Sequence, residues 1–220
     1  MEKTTRKSRK KTVIGSSGSS NFIIQGSILA IAGIIVRLIG MLYRIPLAEK
    51  IGDEGIGYYS SAYSVYSILL IMSSYSLPVA VSKMVAARLA NHQYRNAERI
   101  LRASLFYATI VGAIGAAALW FGADLFADAI KMPYSSYALR TLAPTIWIMA
   151  YLGVLRGYFQ GHSTMVPTAV SQVFEQVVNA VISILAAGAL FQMGTVSNLV
   201  YESAEYSYAF GAAGGTIGTG

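Results

Sequence analysis

Five apolar stretches, each about as long as a membrane is thick, constrain this chain more than any other feature. They run over 22–42, 56–81, 105–126, 139–159 and 165–190, and a sixth begins near Ala204 and meets the end of the sequence at 220. In hydrocarbon each segment must satisfy its own backbone N–H and C=O groups, so stretches like these fold as helices. The first, Phe22 to Leu42, would reach ~31 Å as a helix against a hydrocarbon core of ~30 Å. A cleavable leader has a shorter apolar centre, of about 7 to 15 residues, so this stretch is expected to stay as a span. The predicted fold is all-α, a polytopic integral membrane helix bundle with five full spans and the start of a sixth.

The balance of residue types agrees, with 55% hydrophobic and 12% charged against about 25% charged in a soluble domain. The chain has no cysteine, which excludes a disulfide framework and a thiolate metal site. Its net charge of +7 does not call for nucleic acid, because Lys3, Arg6, Lys7, Arg9, Lys10 and Lys11 crowd one N-terminal tail. That tail and a Gly/Ser linker, Gly15 to Ser20, make up residues 1–21, ahead of a helical lobe over 22–220. With the tail cytoplasmic, Lys83, Arg88, Arg95, Arg99, Arg102 and Arg156 fall on the same side, and at most Arg44, Lys50, Lys131 and Arg140 on the other. This is the positive-inside pattern, and it predicts a multi-pass protein of the cell membrane with a cytoplasmic N-terminus.

Polar residues inside the spans mark where function is expected. Gly26, Ala30, Gly33, Arg37, Gly40 and Arg44 alternate at spacings of four and three, which puts them on one face of the first helix. Small residues there suit close approach of another helix, and the arginines either snorkel outward or present positive charge inward. After a tight turn expected at Gly52 to Gly57, the second span carries Tyr59, Tyr63 and Tyr66 beside Ser60, Ser64, Ser67 and Ser74. Tyr58 and Tyr59 read as interface aromatics, and the deeper hydroxyls suit either helix packing or a wet cavity that accepts sugars. Pro78 should kink or end that span. The basic, amphipathic stretch from Lys83 to Arg102 is expected to lie along the anionic leaflet, and Arg140 and Arg156 to snorkel from opposite ends of the fourth span.

The fifth span bears a continuous polar stripe, Ser171, Glu175, Asn179 and Ser183, flanked by Gln172 and Gln176. A carboxylate this deep serves either as helix glue, with its carboxyl protonated, or in a substrate or proton path. It is the expected polar floor of a cavity faced by Arg37. The aqueous loops hold no paired acid and base and no metal-ligand cluster, His92 and His162 being isolated, so neither an enzyme nor a cofactor is expected.

R-G-Y-F-Q-G (Arg156 to Gly161), P-T-A-V-S-Q-V-F-E-Q (Pro167 to Gln176), V-R-L-I-G-M-L-Y-R-I-P-L-A (Val36 to Ala48) and the G-D-E-G-I-G-Y-Y-S turn carry a family resemblance. In order, they resemble the polysaccharide and lipid-linked oligosaccharide exporters of the multidrug/oligosaccharidyl-lipid/polysaccharide flippase superfamily. Within it, the stage V sporulation protein B-like and lipid II flippase-like members of Gram-positive bacteria are the most similar. The resemblance implies two six-helix lobes that alternate access to a central cationic cavity, of which this chain is the N-terminal lobe. It also implies that a lipid-linked glycan, such as a peptidoglycan precursor of cell-wall or spore assembly, is flipped with its diphosphate on Arg37 and Arg44.

Tyr63, Tyr66, Gln172, Glu175, Gln176 and Asn179 complete the expected substrate-binding set, with membrane lipids and a second lobe or second copy as partners. Asn179 stands near the place where related sequences often have an arginine, and the second lobe lies beyond this sequence, as in a fragment or truncated product. Two rivals stay open. One is a cation-coupled multidrug exporter of the same fold, and the other a membrane scaffold of cell-wall or sporulation assembly.

Overall fold

The computed structural model describes residues 16–73, 76–201, 203 and 205–218, and these fold as α-helices joined by short turns. The helices are α1 (Ser16–Leu42), α2 (Arg44–Ser73), α3 (Leu77–Ala90), α4 (Tyr94–Ala129), α5 (Ser136–Gly161), α6 (Val166–Tyr201) and α7 (Glu205–Ile217), with a 3-10 turn at Pro133–Ser135. Among the described residues, five stretches are long and apolar enough to cross a membrane: Ile23–Leu42, Arg44–Ala90, Tyr94–Ala129, Pro133–Gly161 and Val166–Val200. The all-α polytopic bundle expected from the apolar stretches is the fold observed.

Several boundaries differ. α1 begins at Ser16, so the expected Gly/Ser linker is largely helical, while the basic tail, Gly15 and Ser74 lie outside the described residues. The turn expected over Gly52 to Gly57 is a single residue. Hydrogen bonds from Tyr43 N to Ile39 O and from Leu47 N to Tyr43 O carry the helical path past Leu42. It breaks at Gly52, whose φ of 70° and ψ of 176° are open essentially to glycine alone, and resumes directly.

The second stretch divides in turn. α2 ends at Ser73, and Pro78 stands in the first turn of α3, where its missing N–H has no helical acceptor to lose. Lys83 to Arg102 does not form a separate surface helix. It supplies the end of α3, a turn at 91–93 closed by bonds from Asn91 N and Gln93 N to Arg88 O, and the start of α4. Val85 and Ala97 are buried there, with Leu89, Ile100 and Leu101 packed against the same cluster, because these apolar positions find a neighbouring helix in the chain itself.

α5 lies at the centre, touching α2, α3, α4 and α7, with Leu139, Leu142, Ile146 and Val154 fully buried. The R-G-Y-F-Q-G motif has a packing cause. A Cβ on Gly157 would stand 2.6 Å from the Pro78 carbonyl oxygen, and one on Gly161 2.7 Å from Val85 Cβ, so only glycine admits α3 at this distance. α7, too glycine-rich to be expected as a span by itself, is buried along most of its length. Gly214 and Gly218 press on the α6 backbone at Ala186 and Asn179, and this close packing offsets the poor helix propensity of glycine. α1 packs chiefly on α6. The close approach expected along its glycine stripe is met only at Gly40, opposite the Gln176 carboxamide; a Cβ on Gly26 or Gly33 would have nothing within 4 Å.

Candidate functional site

α1, α2 on both sides of its Gly52 break and the middle of α6 enclose an open cavity of about 450 Å³, lined by Arg37, Gly40, Tyr43, Arg44, Tyr59, Tyr63, Gln176 and Asn179 with Val36 and Met41. The seven-residue spacing that places Arg37 and Arg44 on one helical face holds through Tyr43, because the helical hydrogen bonds continue across it. Both arginines are exposed, and among the described residues neither forms an ion pair. No carboxylate of the described residues lines the cavity. The Tyr43 and Tyr59 hydroxyls lie 2.9 Å apart, and the Tyr63 ring stacks on Tyr59 at 6.2 Å between centroids. Asn179 is held by Ser183, whose hydroxyl donates to Asn179 Oδ1 at 2.8 Å. Two guanidinium groups beside hydroxyls and carboxamides, with no compensating anion, form a site suited to phosphate oxygens, which arginine can grip with paired N–H donors.

Glu175 is placed differently from the sequence expectation. Arg156 Nη2 donates to Glu175 Oε2 at 2.5 Å and Arg156 Nε to Ser171 Oγ at 3.1 Å, joining α5 to α6. Glu175 is therefore not the floor of the Arg37 cavity; Gln176 and Asn179, from adjoining faces of α6, take that position. Arg156 turns inward because a carboxylate and a hydroxyl within reach compensate its charge better than apolar surroundings would. Arg140, the other arginine expected to snorkel, pairs with Asp124 at 2.7 Å across exposed surface.

Of the eight expected binding residues, the cavity brings together Arg37, Arg44, Tyr63, Gln176 and Asn179. Tyr66 is packed in the core at 1% exposure, and Gln172 lines a separate cavity with Arg156. Tyr59, read as an interface aromatic, is buried, and Tyr58 instead donates to Glu205 Oε2 at 2.8 Å.

Sequence reasoning missed Tyr43 as a lining residue and Arg156 as the partner of Glu175. The second had a readable signal. Arg156 and Ser171 stand equally far from the middle of the short turn at 162–165 that joins α5 to α6, within reach of a long side chain. Glu175 lies one helical turn beyond Ser171.

The family model described as "Polysaccharide biosynthesis protein" matches residues 24–217. Stage V sporulation protein B of Bacillus subtilis (strain 168) is 36% identical over 152 residues, covering 69% of this chain and 29% of that protein. Lipid II flippase MurJ of the same organism is 29% identical over 212 residues, covering 90% of this chain and 38% of that protein. An uncharacterized membrane protein of that organism, YabM, is 28% identical over 157 residues, covering 71% of this chain and 29% of that protein. The chain thus spans roughly a third of the length of these relatives. No solved structure matches. With a match that runs through the five membrane-crossing stretches and includes both arginines of the cavity, this chain belongs to the polysaccharide biosynthesis protein family of multi-pass membrane proteins.

Proposed function

We propose that this chain forms the head-group-binding lobe of a flippase for a lipid-linked glycan, with Arg37 and Arg44 receiving the substrate's diphosphate. The observation that carries the reading is the uncompensated pair of guanidinium groups in a cavity between apolar helices. A lipid diphosphate brings the missing negative charge, and its hydrocarbon tail stays in the bilayer beside α1. Tyr43, Tyr59 and Tyr63 add hydroxyls and ring faces for the sugars. The open space around Gly26 and Gly33 leaves room for a facing half to dock on α1 and close the cavity, as a second lobe or a second copy. The bias of basic loops supports a cytoplasmic N-terminus, so that the head group enters from the cytoplasm and crosses as the two halves rock.

Binding of a fluorescent polyprenyl diphosphate sugar to the chain in nanodiscs tests this. Arg37→Ala is expected to weaken it by about tenfold or more, the contribution of a charge-assisted hydrogen-bonded contact, and Arg37→Lys by less. Preference for a cationic dye over the diphosphate sugar would favour a multidrug exporter, and binding that ignored Arg37→Ala would overturn the assignment.

A further inference from the structure

A second cavity, of about 320 Å³, opens one to two turns along α6 from the arginine pocket, between the start of α3, α5 and the first turns of α6. Arg156, Gln160, Thr168 and Gln172 supply its polar lining, with Pro78 and Met149 among the apolar walls. Thr168 is 2% exposed, and its hydroxyl has no hydrogen-bond partner. Other threonines avoid this. Thr109, Thr141, Thr145, Thr195 and Thr216 each donate to the carbonyl three or four residues earlier. Thr168 stands in the first turn of α6, and the Met165 carbonyl three residues earlier accepts from Ala169 N rather than from the threonine hydroxyl. The Gln160 and Gln172 side chains, both partly exposed, make no hydrogen bond to any described residue.

A buried hydroxyl without a partner, facing a cavity that two unbonded carboxamides also line, calls for a polar occupant. Its charge follows from Arg156, whose guanidinium is already compensated by Glu175. An anion would have to displace that carboxylate, so the cavity suits a neutral group. Carboxamides and a hydroxyl both donate and accept, and the proline and methionine walls offer apolar contact. A sugar ring has the matching character, with hydroxyls that do both and a C–H face. The volume lies at the lower end of small-molecule sites, about 300 to 1,000 Å³, and fits one ring rather than a long chain of them.

We infer that this cavity is a sugar-ring subsite, in which Thr168, Gln160 and Gln172 hold one neutral pyranose unit of the same lipid-linked glycan. The inference rests on the flippase reading. Gln172 and Gln176 are four residues apart on α6, ~6 Å along its axis, so the sugar and diphosphate subsites lie close enough for one head group to pass between them. Glu175, between Gln172 and Gln176 along α6, pairs with Arg156 in the wall of the sugar subsite and offsets its charge.

Ligand-detected NMR of the full chain in nanodiscs tests it, with methyl glucoside and N-acetylglucosamine as sugar probes and inorganic pyrophosphate as anion probe. Saturation transfer to the sugars is expected in the wild type, to fall about threefold or more in Thr168→Val and Gln172→Leu, and to persist in Thr168→Ser and Arg37→Ala. Broadening of the pyrophosphate ³¹P line should show the reverse, lost in Arg37→Ala and kept in Thr168→Val. Helical content measured for each variant excludes misfolding as the cause, and Thr168→Ser separates loss of the hydroxyl from loss of shape. Absence of sugar transfer in the wild type, or equal transfer in Thr168→Val and Gln172→Leu, overturns the subsite and leaves a chamber for water. Failure of pyrophosphate to bind overturns the arginine pocket instead.

Discussion

Replacing Glu175 with leucine strips the Arg156 guanidinium of its carboxylate and leaves Ser171 as the side-chain acceptor bonded to it. The pair closes at 2.5 Å, with side chains 16% and 28% exposed. Unit charges about 4 Å apart attract by about 4 kcal/mol at an effective dielectric of ~20. Stripping one partner from a fully buried pair costs about 3 to 5 kcal/mol, and the residual exposure here places the expected loss near the lower end, about 3 kcal/mol. At about 1.4 kcal/mol per decade, that lowers the folding equilibrium roughly 100-fold. Equilibrium unfolding in mixed micelles, followed through Trp120 and Trp147, reads it directly. Arg156→Met alone should cost a similar amount by stranding Glu175. The double variant Arg156→Met/Glu175→Leu should recover to within about 1 kcal/mol of the wild type, because apolar side chains of similar volume replace buried ion pairs well. A Glu175→Leu variant as stable as the wild type, or a double variant whose loss equals the sum of the singles, would refute the coupling.

Further consequences concern the backbone and the cavities. Gly157→Ala forces a methyl onto the Pro78 carbonyl and should destabilise by about 1 to 3 kcal/mol in the same unfolding assay, whereas Gly33→Ala, with open space around it, should change stability little. Gly52→Ala should cost about 1 to 3 kcal/mol, since its φ of 70° and ψ of 176° are strained for any residue with a Cβ. Tyr43→Phe removes the 2.9 Å contact with Tyr59 and should cost about 1 kcal/mol of stability, together with a measurable loss in diphosphate-sugar affinity. Gly214→Val should separate α7 from α6, seen as faster hydrogen exchange over residues 205–217.

The apolar stretches, the all-α class and the shared face of Arg37 and Arg44 were legible in the sequence, because hydrophobicity and helical periodicity are local properties that accumulate residue by residue. The signature motifs were legible too, although as recognition marks rather than contacts. Only the tertiary structure decided what they touch: Gly157 and Gly161 make room for α3, while Arg156 pairs with Glu175. It also decided that Gly52 alone breaks the path between the first two spans, and that glycine-rich α7 is buried. Both depend on neighbours remote in the chain. Glu175 and Gln176 show the difference most simply. They are adjacent in sequence, but ~100° apart around the helix, so one meets α5 and the other the arginine cavity. Sequence alone determined that α6 carries a polar stripe; the rotation and register of α6 against α1 and α5 determined which of its residues joins the helices and which opens onto the arginine cavity.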